Sequence, residues 1–220
     1  MKKLIVLFII SILITACKNE SPTKTLGVLA ENGMVVSARK EASEIGIQIL
    51  EKGGNAFDAM MATELALAVS YPNAGNIGGG GFMVYRKNTG EIGGLDYREK
   101  APLAASRDMY LDSEGNIIKG KSTIGATAVG VPGTVAGVFE AQQKFGKLTV
   151  KEILAPIIAL AKKGFIVTEM EEKRINRYQK DFLKVNKDSI LFTKGWKEND
   201  TIKNFSLATT LEKIANNGKD

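Results

Sequence analysis

Histidine is absent from this 220-residue chain, and cysteine occurs once, as Cys17. The first absence excludes a Ser-His-Asp or Cys-His nucleophile and any histidine ligand for zinc. The second excludes an internal disulfide and a CxxC redox pair. Charge of one sign is nowhere concentrated: 30 Lys and Arg against 24 Asp and Glu leave a formal +6. The excess is scattered and is densest as single lysines between Lys162 and Lys203. Nucleic-acid binding calls for a clustered basic stripe with interleaved aromatics, so no nucleic-acid partner is expected. Internal repeats and low-complexity segments are also missing. What is there, 44% hydrophobic and 25% charged residues, is the balance of a folded chain with length for one full-sized domain or two small ones.

The longest apolar run, Leu4 to Leu13, follows Met1-Lys2-Lys3 and precedes Ile14-Thr15-Ala16. It is short for a bilayer span, and a positive start, an apolar centre and small residues before Cys17 read as a secretory signal peptide over residues 1–16. Ile14-Thr15-Ala16-Cys17 resembles a bacterial lipobox, which implies cleavage before Cys17 and lipidation of its thiol. A soluble secreted protein with an incidental Cys17 is the alternative. On the first reading the protein is exported, held on a membrane by its lipid at the periplasmic or extracellular face. Residues 17–32, polar around Lys18 to Thr25, then serve as tether and entry segment.

Met34-Val35-Val36 is a short strand candidate. Ala42, Ile45, Ile49 and Leu50 have helical spacing, stopped by Gly53-Gly54. Asn55 is placed to cap the next helix, Ala56 to about Val69, with Asp58 near its positive end. That helix is apolar nearly all round and must be buried on most sides; beside so small a visible sheet, its cover is expected from sequence outside this chain. After Gly78–Gly81, Phe82 to Arg86 and Glu91 to Arg98 flank the turn Lys87-Asn88-Thr89-Gly90 as a β-hairpin. Ser113-Glu114-Gly115-Asn116 reads as a turn, and Pro132-Gly133 introduces a helix to Phe145. Thr149 with Glu152 and Thr168 with Glu171 are capping boxes, Pro156 a kink candidate, and Ser206 the cap of a last helix closed by Gly218. The order predicts an α/β chain with mixed α+β layers.

Five segments, in order, resemble the γ-glutamyltranspeptidases, also called glutathione hydrolases: Glu51–Ala59 (EKGGNAFDA), Pro72–Met83 (PNAGNIGGGGFM), Asp96–Pro102 (DYREKAP), Gly130–Gly137 (GVPGTVAG) and Gly164–Val167 (GFIV). The resemblance implies an N-terminal-nucleophile hydrolase fold, αββα, present incompletely, with residues 33–220 a partial large-subunit domain. It also implies a precursor that cuts itself into large and small subunits and exposes an N-terminal threonine as nucleophile. That threonine's own α-amine serves as general base, which suits a chain without histidine. The γ-glutamyl group of glutathione or a related compound passes to the hydroxyl, then to water or an amino-acid acceptor.

The threonine-led segment and the glycines of the oxyanion hole have no match here, so no catalytic residue is assigned in this chain. The chain alone is expected to be inactive without the remainder of the large subunit and the small subunit. Thr209-Thr210 is rejected as nucleophile because it sits within the helical spacing of Leu207, Leu211 and Ile214. The resemblance assigns Arg98 to the α-carboxylate of the γ-glutamyl group, a task suited to a planar guanidinium fork. Without the resemblance Arg98 reads as a surface residue at a strand end. In a strand reaching Arg98, Asp96 shares its face and is placed to support the guanidinium. Gly78–Gly81 lead into a strand rather than a helix, which disfavours a phosphate cradle and favours close packing. No cofactor or metal is expected. The rival function is a non-catalytic envelope lipoprotein or binding module derived from the same fold.

Overall fold

A computed structural model describes residues 27–186 and 188–219. The signal peptide, the lipobox and Cys17 lie outside the described residues. Residues 27–33 contain no helix or strand, and residues 34–219 belong to a single compact unit.

Helix α1 (Lys40–Glu51) turns its buried side, Ala42, Ile45 and Ile49, onto α2 (Ala56–Ser70). The Asn55 side chain accepts from the Phe57 and Asp58 N–H groups, and Asp58 accepts from the Asn55 N–H, so α2 begins on a complete capping box. Asp58 is fully buried and also accepts from the Lys147 and Leu148 N–H groups, tying the start of α2 to a distant loop. Gly46 marks the close approach of the first two helices: a Cβ there would overlap the Thr63 hydroxyl.

Helix α2 is the centre of the molecule. Ala59, Met61, Ala62, Leu65, Ala66 and Val69 are buried in one cluster with residues of α1, α3 (Thr134–Phe145), α4 (Val150–Lys163) and α6 (Phe205–Asn217). The cover that the sequence reading sought outside the chain is therefore supplied by the chain's own helices. Helix α4 has its Thr149–Glu152 capping box and continues through Pro156. Helix α5 (Glu169–Val185) has the Thr168–Glu171 box. The cap of α6 is Asn204, which accepts from the Leu207 N–H at 3.0 Å; Ser206 lies inside the helix.

The strands are few. Strands β1 (Phe82–Arg86) and β2 (Ile92–Asp96) form the antiparallel hairpin, Phe82 opposite Asp96 and Arg86 opposite Ile92. Gly90 turns it at φ +89°. Strands β3 (Phe165–Ile166) and β4 (Thr201–Ile202) make a second antiparallel pair over a smaller core of Phe165, Val167, Ile175 and Ile202. Met34-Val35-Val36 forms no strand, because none of the described strands pairs with it. Among the described residues the result is mixed helix and strand, 46% helical and 9% strand.

Candidate functional site

Three of the five motif segments meet at Arg98. After α2 the Tyr71 carbonyl accepts from the Ala74 and Gly75 N–H groups, turning the chain into Asn76. Asn76 Oδ1 accepts from the Gly79 N–H and from the Thr134 hydroxyl, both at 2.7 Å. The Gly79 carbonyl in turn accepts from the Gly133 N–H at 2.7 Å and the Thr134 N–H at 3.1 Å. The glycine run is thus stitched to the start of α3. Lys100 and Val131 exchange both backbone hydrogen bonds, at 3.1 and 2.8 Å, on the other side.

The residues Tyr97 and Arg98 are held between these walls at backbone distance. A Cβ on Gly80 would lie 2.6 Å from the Tyr97 carbonyl and 2.8 Å from the Arg98 Cα, and one on Gly133 would overlap the same carbonyl. Glycine is required because the neighbours are backbone, which cannot move aside. The Tyr97 ring fills the remaining space beside Gly81 and Gly137, and its hydroxyl donates to Glu64 Oε2 on α2 at 2.9 Å. Burial, opposed in part by this hydrogen bond, pushes the Glu64 carboxyl above its ordinary value. Burial, with the charge and hydrogen bond of Glu64 added, raises Tyr97 far above the usual tyrosine range, so Tyr97 stays a donor.

Arg98 is exposed and lines a cleft of about 400 Å³ with Lys100, Pro102, Ser106, Met109 and Tyr110. Among the described residues no hydrogen bond or ion pair engages its guanidinium. Asp96 does not reach the guanidinium: β2 ends at Asp96, and Asp96 Oδ1 accepts from the Arg98 backbone N–H at 3.0 Å. Asp96 fixes the turn of the chain and leaves the guanidinium open. An open guanidinium at the wall of a cleft can grip a carboxylate through two parallel hydrogen bonds.

A larger cleft, about 480 Å³, lies by Arg39, Glu41, Tyr71, Glu171 and Arg174. Its arginines are already engaged. Arg39 donates to Glu41, to the buried Glu171 and to the Ile166 carbonyl. Arg174 stacks on Tyr71 and donates to its hydroxyl at 2.5 Å. This is a clasp between α1, β3 and α5. Thr209 and Thr210 donate to the Phe205 and Ser206 carbonyls, each at 3.1 Å, as ordinary members of α6. Among the described residues no group of three or more Asp, Glu or Cys side chains is arranged to hold a metal ion.

The sequence of residues 42–220 matches the family Gamma-glutamyltranspeptidase. The chain belongs to this family. It is 48% identical over 195 residues to a glutathione hydrolase proenzyme of Pseudomonas sp. strain A14 and 42% identical over 197 residues to that of Escherichia coli K12. The two alignments cover 87% and 88% of this chain but 34% of each relative, so the chain spans about a third of their length. Among solved structures, the γ-glutamyltranspeptidase of Helicobacter pylori superposes with a TM-score of 0.83 at 40% identity, covering 87% of this chain and 56% of that one. The fold is that of the γ-glutamyltranspeptidases, an N-terminal-nucleophile hydrolase fold.

Sequence reasoning does not single out Glu64. The available signal is that, with Asp58, it is one of two charged residues in the helix Ala56–Ser70. Its partner is 33 positions away.

Proposed function

We propose that this chain supplies the carboxylate-binding wall for γ-glutamyl compounds, glutathione among them, and that Arg98 grips the α-carboxylate of the γ-glutamyl group. The observation that carries the reading is an exposed guanidinium, unengaged among the described residues, at the rim of a cleft and on a backbone clamped by two glycine motifs. The nucleophile is an N-terminal threonine of the family's small subunit, outside this chain. Transfer or hydrolysis then needs that subunit and the remainder of the large one. Cys17 carries a lipid anchor that holds the protein on the outer side of a membrane.

The test is binding of L-glutamate to the purified chain, followed by NMR at the Arg98 Nε–H group. Arg98→Lys is expected to weaken binding about tenfold or more, because an ammonium cannot reproduce the planar fork. Binding by Arg98→Lys that matches the parent would remove Arg98 from this role and favour a non-catalytic module. Joined to the missing two-thirds of a family member, the same substitution should act mainly on KM.

A further inference from the structure

We infer that Glu64 and Tyr97 form a positioning pair for Arg98, fixing the carboxylate-binding guanidinium to the central helix of the core. The inference rests on the reading of Arg98 given above. Three constraints converge on Tyr97. Its backbone N–H donates to the Gly81 carbonyl at 3.0 Å, its ring occupies the space left by Gly81 and Gly137, and its hydroxyl donates to Glu64 at 2.9 Å. The ring alone would fill the space. The hydroxyl adds a directional tie to α2, whose neighbouring residues Thr63 and Leu65 are buried.

The other half of the pair is costly. A carboxylate placed in a largely apolar helix is penalised unless it is paired, and among the described residues only burial and the Tyr97 hydroxyl act on Glu64. The only polar side chain that engages it among the described residues is the Tyr97 hydroxyl. Arg98 follows directly in sequence, and its Cα sits against Gly80 with no slack. A shift of Tyr97 therefore moves Arg98. A long, flexible arginine binds well only when its root is fixed, since every freedom left to it is lost on binding.

The experiment compares L-glutamate binding to the purified chain and to its Tyr97→Phe, Glu64→Gln and Glu64→Ala variants, with Arg98→Lys as control. Tyr97→Phe and Glu64→Ala are expected to weaken binding about tenfold while the chain stays folded. Glu64→Gln keeps an acceptor oxygen for the hydroxyl and should bind within about twofold of the parent. Should Tyr97→Phe fail to fold, the contrast between Glu64→Gln and Glu64→Ala decides. Parent-like binding by Tyr97→Phe, with Arg98→Lys defective, overturns the positioning pair and leaves the role of Arg98 intact. Should Arg98→Lys bind as the parent does, the role of Arg98 falls, and amide hydrogen exchange then tests the pair by itself. Exchange at Arg98 should quicken about tenfold in Tyr97→Phe, and unchanged exchange overturns the tie.

Discussion

Burial raises the Glu64 carboxyl in the folded chain above the ordinary 4.5. The folded state therefore holds a proton that the unfolded state has released, over the window from about 4.5 upward to the raised value. Stability contributed by this group is fully present below the ordinary value and is lost as pH rises through the raised one. Glu64→Gln removes the dependence. The variant should melt at a higher temperature than the parent at neutral pH, with the gap closing as pH falls toward 4.5, measured by circular dichroism melts at several pH values. A gap that widens toward acid would mean that Glu64 stabilises as an anion. None of this is legible from the sequence at position 64, because the residue's meaning depends on a tyrosine on another element. Arg98 differs: the role proposed for it rests on its neighbours in sequence. Asp96 takes a different task from the one expected, because its carboxylate receives the Arg98 backbone N–H rather than the guanidinium.

Elements are legible where their ends are written locally. Asn55 with Asp58, Thr149 with Glu152 and Thr168 with Glu171 are side chains bonding backbone three residues away, so spacing alone reveals them. The last helix is capped at Asn204 rather than Ser206, since several residue types cap and the sequence does not rank them. Asp58 shows what such a local reading omits. Beyond its capping box it receives the Lys147 N–H at 3.0 Å, a contact 89 residues away. Asp58→Ala should cost about 3 kcal/mol, the loss of a cap together with buried amides left unpaired. For a chain of this size that is about 6–12 °C in melting temperature. A loss under about 1 kcal/mol would show that water replaces the carboxylate at the Lys147 loop.

At the scale of the whole molecule, the motifs make the family legible but not the way they fit together. In the sequence the five segments are separate landmarks. Folded, three of them form one clamp, because Gly80 and Gly133 allow backbone to approach backbone around Arg98. Close approach of that kind leaves only glycines in the sequence, and glycines alone do not say what they approach. The same folded arrangement bears on turnover. Catalysis of acyl transfer needs a hydroxyl or thiol poised beside a base. The adjacent threonines of α6 spend their hydroxyls on their own helix, at 3.1 Å each, and histidine is absent. In the role proposed for it, Arg98 offers binding without attack. The purified chain is therefore expected to release no measurable p-nitroaniline from γ-glutamyl-p-nitroanilide above the buffer rate, while still binding L-glutamate through Arg98. Turnover that survives Thr209→Val and Thr210→Val would place a nucleophile elsewhere in these 220 residues. Turnover lost with either substitution would return the nucleophile to α6 and require that helix to open.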